Sequence, residues 1–350
     1  MGRRSRWAVK VACLAGSLLA STGCLLLTSV SDLGGQTRPT SADGSDDAPG
    51  DAVLQDGPPR DGGTAFGPSL AIARTAPGLR GVGVDLTRVY FANESTGEIR
   101  SAPKAGDGSG GSTIVVATFK PTDLAVDATR IYWIDKSAAN LASSSVFKSS
   151  KKDGTDVVPG PNYNVSVRMT LAAGHAFTST MTASSVWYVM RDGTGLDPGS
   201  FGPSATCIVS DGATVFYGRA GVLRSFPEPD GGPPLATTDA TDLVVDDTAL
   251  YWITASGAVQ KLDKDKRGGT PTVLAAGVSG LARIALDEKN VYVTAWGLGA
   301  DTGRVIQIPK AGGPAVDLVK GLHEPWGIVV EATGLFVTNH GDGTVVALPR

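Results

Sequence analysis

The chain has 350 residues, a formal net charge of −3, 46 glycines and 21 prolines. A nearly balanced charge, with no basic patch carrying interleaved aromatics, excludes a nucleic-acid binder. Glycine and proline at this density exclude a fold of long helices and point to short strands joined by many turns.

In chain order the first element is a targeting segment, residues 1–23. Arg3, Arg4, Arg6 and Lys10 form a basic start, and Val11–Ala20 is an apolar run too short to span a bilayer. "LLASTGC" (18–24) then sets Ser21, Thr22 and Gly23 directly before Cys24. This stretch resembles a bacterial lipobox, with Ser21 where the lipobox usually carries leucine; "RRSRW" (3–7) has only part of a twin-arginine motif. The resemblance implies cleavage before Cys24, lipidation of its sulfur with acyl chains such as palmitate, and an exported protein held in the bacterial cell envelope. The outer membrane or cell surface is expected rather than the inner membrane. The alternative is an ordinary secretory signal with an incidental cysteine.

Residues 24–68 form a tether. "SADGSDDAPGDAVLQDGPPRDGG" (41–63) has almost no large apolar residue, so it cannot bury enough surface to offset its ordering entropy. Residues 69–350 are the globular domain.

That domain repeats one unit. "VDLTRVYF" (84–91), "VDATRIYW" (126–133), "VDDTALYW" (245–252), "LDEKNVYV" (286–293) and "VEATGLFV" (330–337) each set an acid four residues before an aliphatic–aromatic pair. The acids are Asp85, Asp127, Asp211, Asp246, Asp287 and Glu331, and a degenerate copy, "TASSVWYV" (182–189), puts Thr182 in the acid's place. Their mean interval is about 41 residues, inside the roughly 40–45 of a four-stranded propeller blade. Apolar runs before the acid, such as "DLAV" and "DLVV", predict an inner strand buried on both faces. The acid accepts turn amides. The aromatic run is the second strand, "GEIRSAP" (97–103) or "GRVIQIP" (303–309) the third, and "STIVVAT" (112–118) a fourth. The last repeat has three strands, so "SLAIART" (69–75) is expected to complete it and cover its edge.

The "VYF", "IYW" and "LYW" cores and "TNHGDGTV" (338–345) resemble the β-propeller superfamily, nearest to the YWTD, NHL and TolB-like repeat groups. The resemblance implies an all-β propeller, seven blades with six as the alternative, closed by the N-terminal strand. It is specific for fold and unspecific for activity.

Enzyme motifs are mostly absent. There is no G-x-S-x-G elbow and no phosphate loop. "HEPWG" (323–327) lacks the second histidine of a zinc-protease motif, and in "DKDKRGG" (263–269) Arg267 replaces a calcium ligand. No cofactor, metal or catalytic residue is assigned. Cys207, inside "TCIVS", reads as a small buried hydrophobe. The favoured reading is a monomeric, non-catalytic binding or interaction scaffold; its partner is an envelope protein, a peptide or a small molecule, with no nucleic acid. The alternative is a propeller enzyme similar to the streptogramin lyases or the regucalcin-like lactonases, with its site at the channel mouth.

Counting four residues back from each acid gives Gly81, Asp123, Thr178, Cys207, Asp242, Arg283 and Gly327 as the residues expected around one channel mouth. Asp123, Asp242 and Arg283 are the charges there, with the two aspartates capping turns and pairing with Arg283 or water. Trp296 and His340, which leave second strands, and His323 and Trp326, which lead into the last inner strand, are expected on the same face. These seven are the candidate ligand-binding residues, beside the lipidation site Cys24.

Overall fold

The computed structural model describes residues 69–350 apart from 107–108, 117–118, 137–143, 165, 173, 181–185, 191–198, 202–204, 228–231 and 298. The expected signal segment, Cys24 and the expected tether therefore lie outside the described residues.

Among the described residues, 28 strands pair into seven antiparallel four-stranded sheets. They are numbered one to seven here by their first strands: Leu79–Val84, Lys120–Val126, Ser166–Ala172, Cys207–Ser210, Ala240–Val245, Leu281–Leu286 and Pro325–Glu331. Each first strand touches the first strands of the sheets on either side, and that of sheet seven returns to that of sheet one. Sheet seven takes its outer strand from the start of the domain. Leu70–Arg74 pairs antiparallel with Thr344–Leu348, Leu70 facing Ala347 and Arg74 facing Thr344. Ile72, fully buried, packs with Phe336 and Val345 and with Val89 of sheet one, so the strand expected to close the domain does so.

Burial differs from the expectation. First strands mix buried and half-buried positions, alternating in Leu79–Val84 and running buried, buried, half-buried, half-buried in Cys207–Ser210. Second strands are the buried ones: Ala249–Thr254 and Gly334–Asn339 are buried at every position. The physical reason is position. A first strand lines a central cavity with part of its surface, whereas a second strand has sheets packed on both faces.

The repeated acid is a fastener. In Asp246 the carboxylate accepts the N–H groups of Thr248 and Ala249, both at 2.8 Å, the Tyr251 hydroxyl at 3.0 Å and Lys310 Nζ at 2.7 Å. Lys310 follows the third strand of the next sheet and lies 5.0 Å from the centre of the Tyr251 ring. The pattern recurs as Lys152 on Asp85, Lys264 on Asp211, Lys104 on Glu331 and Arg350 on Asp287. Sheet three has no acid here, Ala172 standing in its place, and the matching position in sheet four is Pro227. An absent anion is met by an absent cation, which avoids a lone charge between sheets.

The third repeat is shifted from its expected phase. "VWYVM" (186–190) is the third strand of sheet three and His175–Thr180 the second. The aromatic of this repeat is Phe177, five residues after Ala172 just as Tyr132 follows Asp127. Thr178 therefore sits on a second strand facing Met169, and Arg168, four residues before Ala172, takes the inner position.

Candidate functional site at the channel mouth

The first strands carry a register irregularity in six of the seven sheets, at Leu79/Val82, Pro121/Asp123, Ser166/Arg168, Ala240/Asp242, Leu281/Arg283 and Pro325/Ile328. A bulge adds a residue and re-aims its neighbours. Here the repeated bulge turns Arg80, Asp123, Arg168, Asp242, Arg283 and Gly327 toward one central cavity of ≈ 180 Å³ to which all seven sheets contribute. Gly81 and Gly327 are needed for close approach: a Cβ on Gly327 would lie 2.4 Å from Arg80 O, and one on Gly81 2.8 Å from Leu124 N.

Five of the seven expected mouth residues line this cavity: Gly81, Asp123, Asp242, Arg283 and Gly327. Thr178 and Cys207 do not. Thr178 belongs to a second strand, for the reason given above. Cys207 is fully buried, packed with Leu243 and Trp252, and burial, with the Asp242 charge nearby, pushes its thiol up to about 12. It is the buried hydrophobe expected.

The two aspartates join neighbouring sheets rather than cap turns. Asp123 Oδ2 accepts the N–H of Met169 at 2.8 Å, and Asp242 Oδ2 accepts that of Ile284 at 3.2 Å. Asp242 Oδ1 accepts from Arg168 Nε at 3.2 Å. The expected pairing with Arg283 is thus replaced by one with Arg168. Burial raises both carboxyl pKa values, while Arg168 pulls in the other direction. In sheets six and seven a threonine makes the same link. Thr294 Oγ1 accepts from Arg283 N at 3.1 Å and donates to Trp326 O at 2.9 Å; Thr338 bridges Gly327 N and Arg80 O.

Beside the cavity stands an aromatic and charged cluster. Trp296 and Trp326 meet edge to face at 4.9 Å, and Trp296 stacks on His340 at 5.9 Å. Two guanidinium groups lie against Trp326, Arg80 at 4.1 Å and Arg283 at 5.1 Å from its ring centre. Arg80 Nε faces Glu94 at 2.8 Å. Glu94 also meets His340 Nε2 at 3.1 Å, and Glu324 meets His340 Nδ1 at 2.9 Å. The Glu94 hydrogen bond raises the His340 pKa against the effect of burial, and Glu324 adds to it. Burial would raise Glu94, but His340 and Arg80 outweigh it and bring it to about 2. Glu324 holds φ at +54°, a left-handed conformation that costs a non-glycine residue about 1–2 kcal/mol; its carbonyl accepts the His340 N–H at 2.9 Å.

An open cleft of ≈ 770 Å³ adjoins the cluster, lined by Trp296, Trp326, Val278, Leu281, Ser279 and Arg168 among others. His323 is apart from both cavities, its ring against Gly341. Trp326 is the second residue of its strand, not a loop residue. Arg80, Glu94, Arg168 and Glu324 were missed in the sequence. Arg168 stands four residues before Ala172, so correct phasing of the third repeat would have found it, whereas Arg80 stands one place before Gly81 and falls outside that count.

No family model and no curated protein matches the chain by sequence. Solved structures do match it. Virginiamycin B lyase from Staphylococcus aureus is similar over 81% of this chain and 98% of that one, at 12% identity and a TM-score of 0.60. PorZ, a bacterial surface component of the type-IX secretion system of Porphyromonas gingivalis, is similar over 81% of this chain and 38% of that one, at 11% identity and a TM-score of 0.59. BamB from Moraxella catarrhalis is similar over 78% of this chain and 85% of that one, at 13% identity and a TM-score of 0.50. The chain is a β-propeller. At these identities the likeness establishes the fold alone.

Within the propeller the arrangement suits binding. Each ring nitrogen of His340 already faces a carboxylate, and the oxygens of Asp242 are taken by Arg168 and a backbone N–H. What lies open is an aromatic surface flanked by cations. Among the described residues, no group of three or more His, Cys, Asp or Glu is placed to hold a metal ion.

Proposed function

We propose that the protein is an exported lipoprotein, anchored through Cys24, whose propeller acts as a non-catalytic binding scaffold and takes its ligand at the channel mouth. The observation that carries the binding site is Trp326, which lines the open cleft and has Arg80 and Arg283, both lining the central cavity, against its ring. A pocket with aromatic walls and a few convergent polar groups is the usual form of a ligand site. The likeness to PorZ, described as a surface component, agrees with an envelope location for this chain. The order of basic residues, apolar run and small residues before Cys24 supports the anchor. One acyl chain holds a protein only marginally, so stable attachment requires two or more on Cys24.

Two experiments test the reading. Full-length parent and Cys24→Ser are labelled with palmitate and fractionated; unchanged labelling and membrane association in the variant removes the anchor. Tagged parent, Trp326→Ala and Asp242→Asn are then used to capture partners from the native envelope. The expected result is a specific partner lost with Trp326→Ala. Retention of every partner by both folded variants moves the site off this face. The enzymatic reading would rest on His340 between Glu94 and Glu324; turnover of a lactone or cyclic ester that His340→Gln abolishes would favour it over the scaffold.

A further inference from the structure

Among the described residues, the channel mouth holds a buried cation, Arg283, that no carboxylate pairs. Arg283 is 8% exposed. Among the described residues its guanidinium makes one hydrogen bond, 3.5 Å to the carbonyl of its neighbour Ala282. Among the described residues it forms no ion pair, because Asp242, the aspartate of the adjoining sheet, turns to Arg168 instead. A guanidinium is always charged and carries five donors. Taken from water without an anion, it is costly.

Arg80 repeats the situation in part. Its Nε faces Glu94, while its two terminal nitrogens have no acceptor among the described residues. Both guanidinium groups lie against one indole, that of Trp326. Two cations sharing one ring repel each other, so the ring alone does not explain why they are gathered. An oxyanion between their free forks relieves both costs at once, since carboxylate and phosphate oxygens match the fork geometry.

The space around the pair sets the rest of the ligand. Arg80, Arg168 and Arg283 line the central cavity, whereas Arg168, Trp326, Trp296, Val278 and Leu281 line the open cleft. Arg168 borders both. The small cavity suits a charged head and the large cleft an apolar body.

We infer that the mouth binds a small organic anion, its carboxylate or phosphate head between Arg283 and Arg80 and its aromatic or apolar body on Trp326 and Trp296. This inference rests on the proposal that the channel mouth is the ligand site, and names the chemistry of that ligand.

The full chain is titrated with benzoate, phenyl phosphate and the neutral isostere benzamide at constant ionic strength, following tryptophan fluorescence and the melting temperature. The expected result is saturable quenching by at least one of the two acids, a raised melting temperature with that acid, and weaker binding as salt is added. Benzamide binds at least tenfold more weakly. Arg283→Gln weakens the acid at least tenfold while melting no lower than the parent in its absence, since it removes a lone buried charge. Arg80→Gln, read in the same way, keeps the test open should Arg283→Gln fail to fold. The inference is overturned by equal binding of benzamide, by equal binding of parent and both variants, or by no binding of either acid. A blank titration together with partner capture lost in Trp326→Ala sinks this inference alone and leaves the site in place.

Discussion

Replacing Asp246 by alanine removes one complete fastener between sheets five and six. The carboxylate accepts from two turn amides, the Thr248 hydroxyl, the Tyr251 hydroxyl and Lys310. Loss of the turn acceptor resembles the loss of a helix cap, about 1 kcal/mol. Tyr251 is 1% exposed, and leaving its hydroxyl without an acceptor costs about 1 kcal/mol more. The ion pair lies between the exposed and buried limits, with side chains 10% and 23% exposed, which sets its loss at about 2 kcal/mol. The total is about 4 kcal/mol. Asp246→Asn keeps the Oδ1 acceptor of the turn but sets an amide NH2 donor against the Tyr251 hydroxyl and Lys310, and should cost about 3 kcal/mol, the turn contribution of about 1 kcal/mol being retained. The assay is urea unfolding of the full chain followed by tryptophan fluorescence, reading a lower midpoint at an unchanged slope. Asp247→Ala, next to it and exposed, is the control and should stay within about 0.5 kcal/mol of the parent. If Asp246→Ala unfolds no earlier than Asp247→Ala, the repeated acid does not hold the sheets together, and the account of the repeat given above is wrong.

The same carboxylates set the acid limit. Burial would raise Asp85 and Asp246, but the lysine, turn amide and tyrosine hydrogen bonds overcome it and hold both far below the ordinary 3.8. A folded pKa below the unfolded one means stability that is present above about pH 4 and is lost as pH falls through the folded value. The urea midpoint should therefore decline below that pH, and Asp246→Asn should flatten the decline. His340 has the opposite sign. Its folded pKa lies above 6.5, so its contribution is complete below that pH and fades as pH rises through the raised value. The melting difference between parent and His340→Gln should shrink from pH 5 to pH 9, and a difference constant over that range contradicts the Glu94–His340–Glu324 arrangement. A chain beginning at Gly81 lacks the strand Leu70–Arg74 and should melt without cooperativity or aggregate, as read by calorimetry and light scattering. Within the full chain, Ile72→Ala should cost about 2–5 kcal/mol by emptying a fully buried site.

Much of the fold is legible because its signals are local. An acid that accepts the amides two and three residues on, followed by an aromatic at the fifth place, is written within eight residues, and it recurs. The strand order inside each sheet follows, since consecutive strands are joined by short turns. The closing strand is legible by bookkeeping: the last repeat is one strand short, and an unpaired edge is a liability. The third repeat misleads because Ala172 stands where the acid should be, while "VWYV" copies the aromatic run of a second strand. Apolar patterning is the same for both phases, and only the pairing of Met169 with Thr178 separates them. With the phase went Arg168, and with Arg168 the true partner of Asp242.

By itself, then, the sequence determines the local units: the strands, the turn acids and the apolar faces, each set by residues within a few places of one another. The tertiary structure alone decides which units meet. Lys152, Lys264 and Lys310 lie 67, 53 and 64 residues from the acids they grip, and no local rule names those pairs. Arg80 reaches Trp326 because the ring of sheets closes first on last. The bulges turn Arg283 inward, and Asp242 turns away to Arg168, which leaves one cation without a counter-charge among the described residues. Such a charge is a property of three sheets together, because its energy depends on every group that packing brings near and on the water that packing removes.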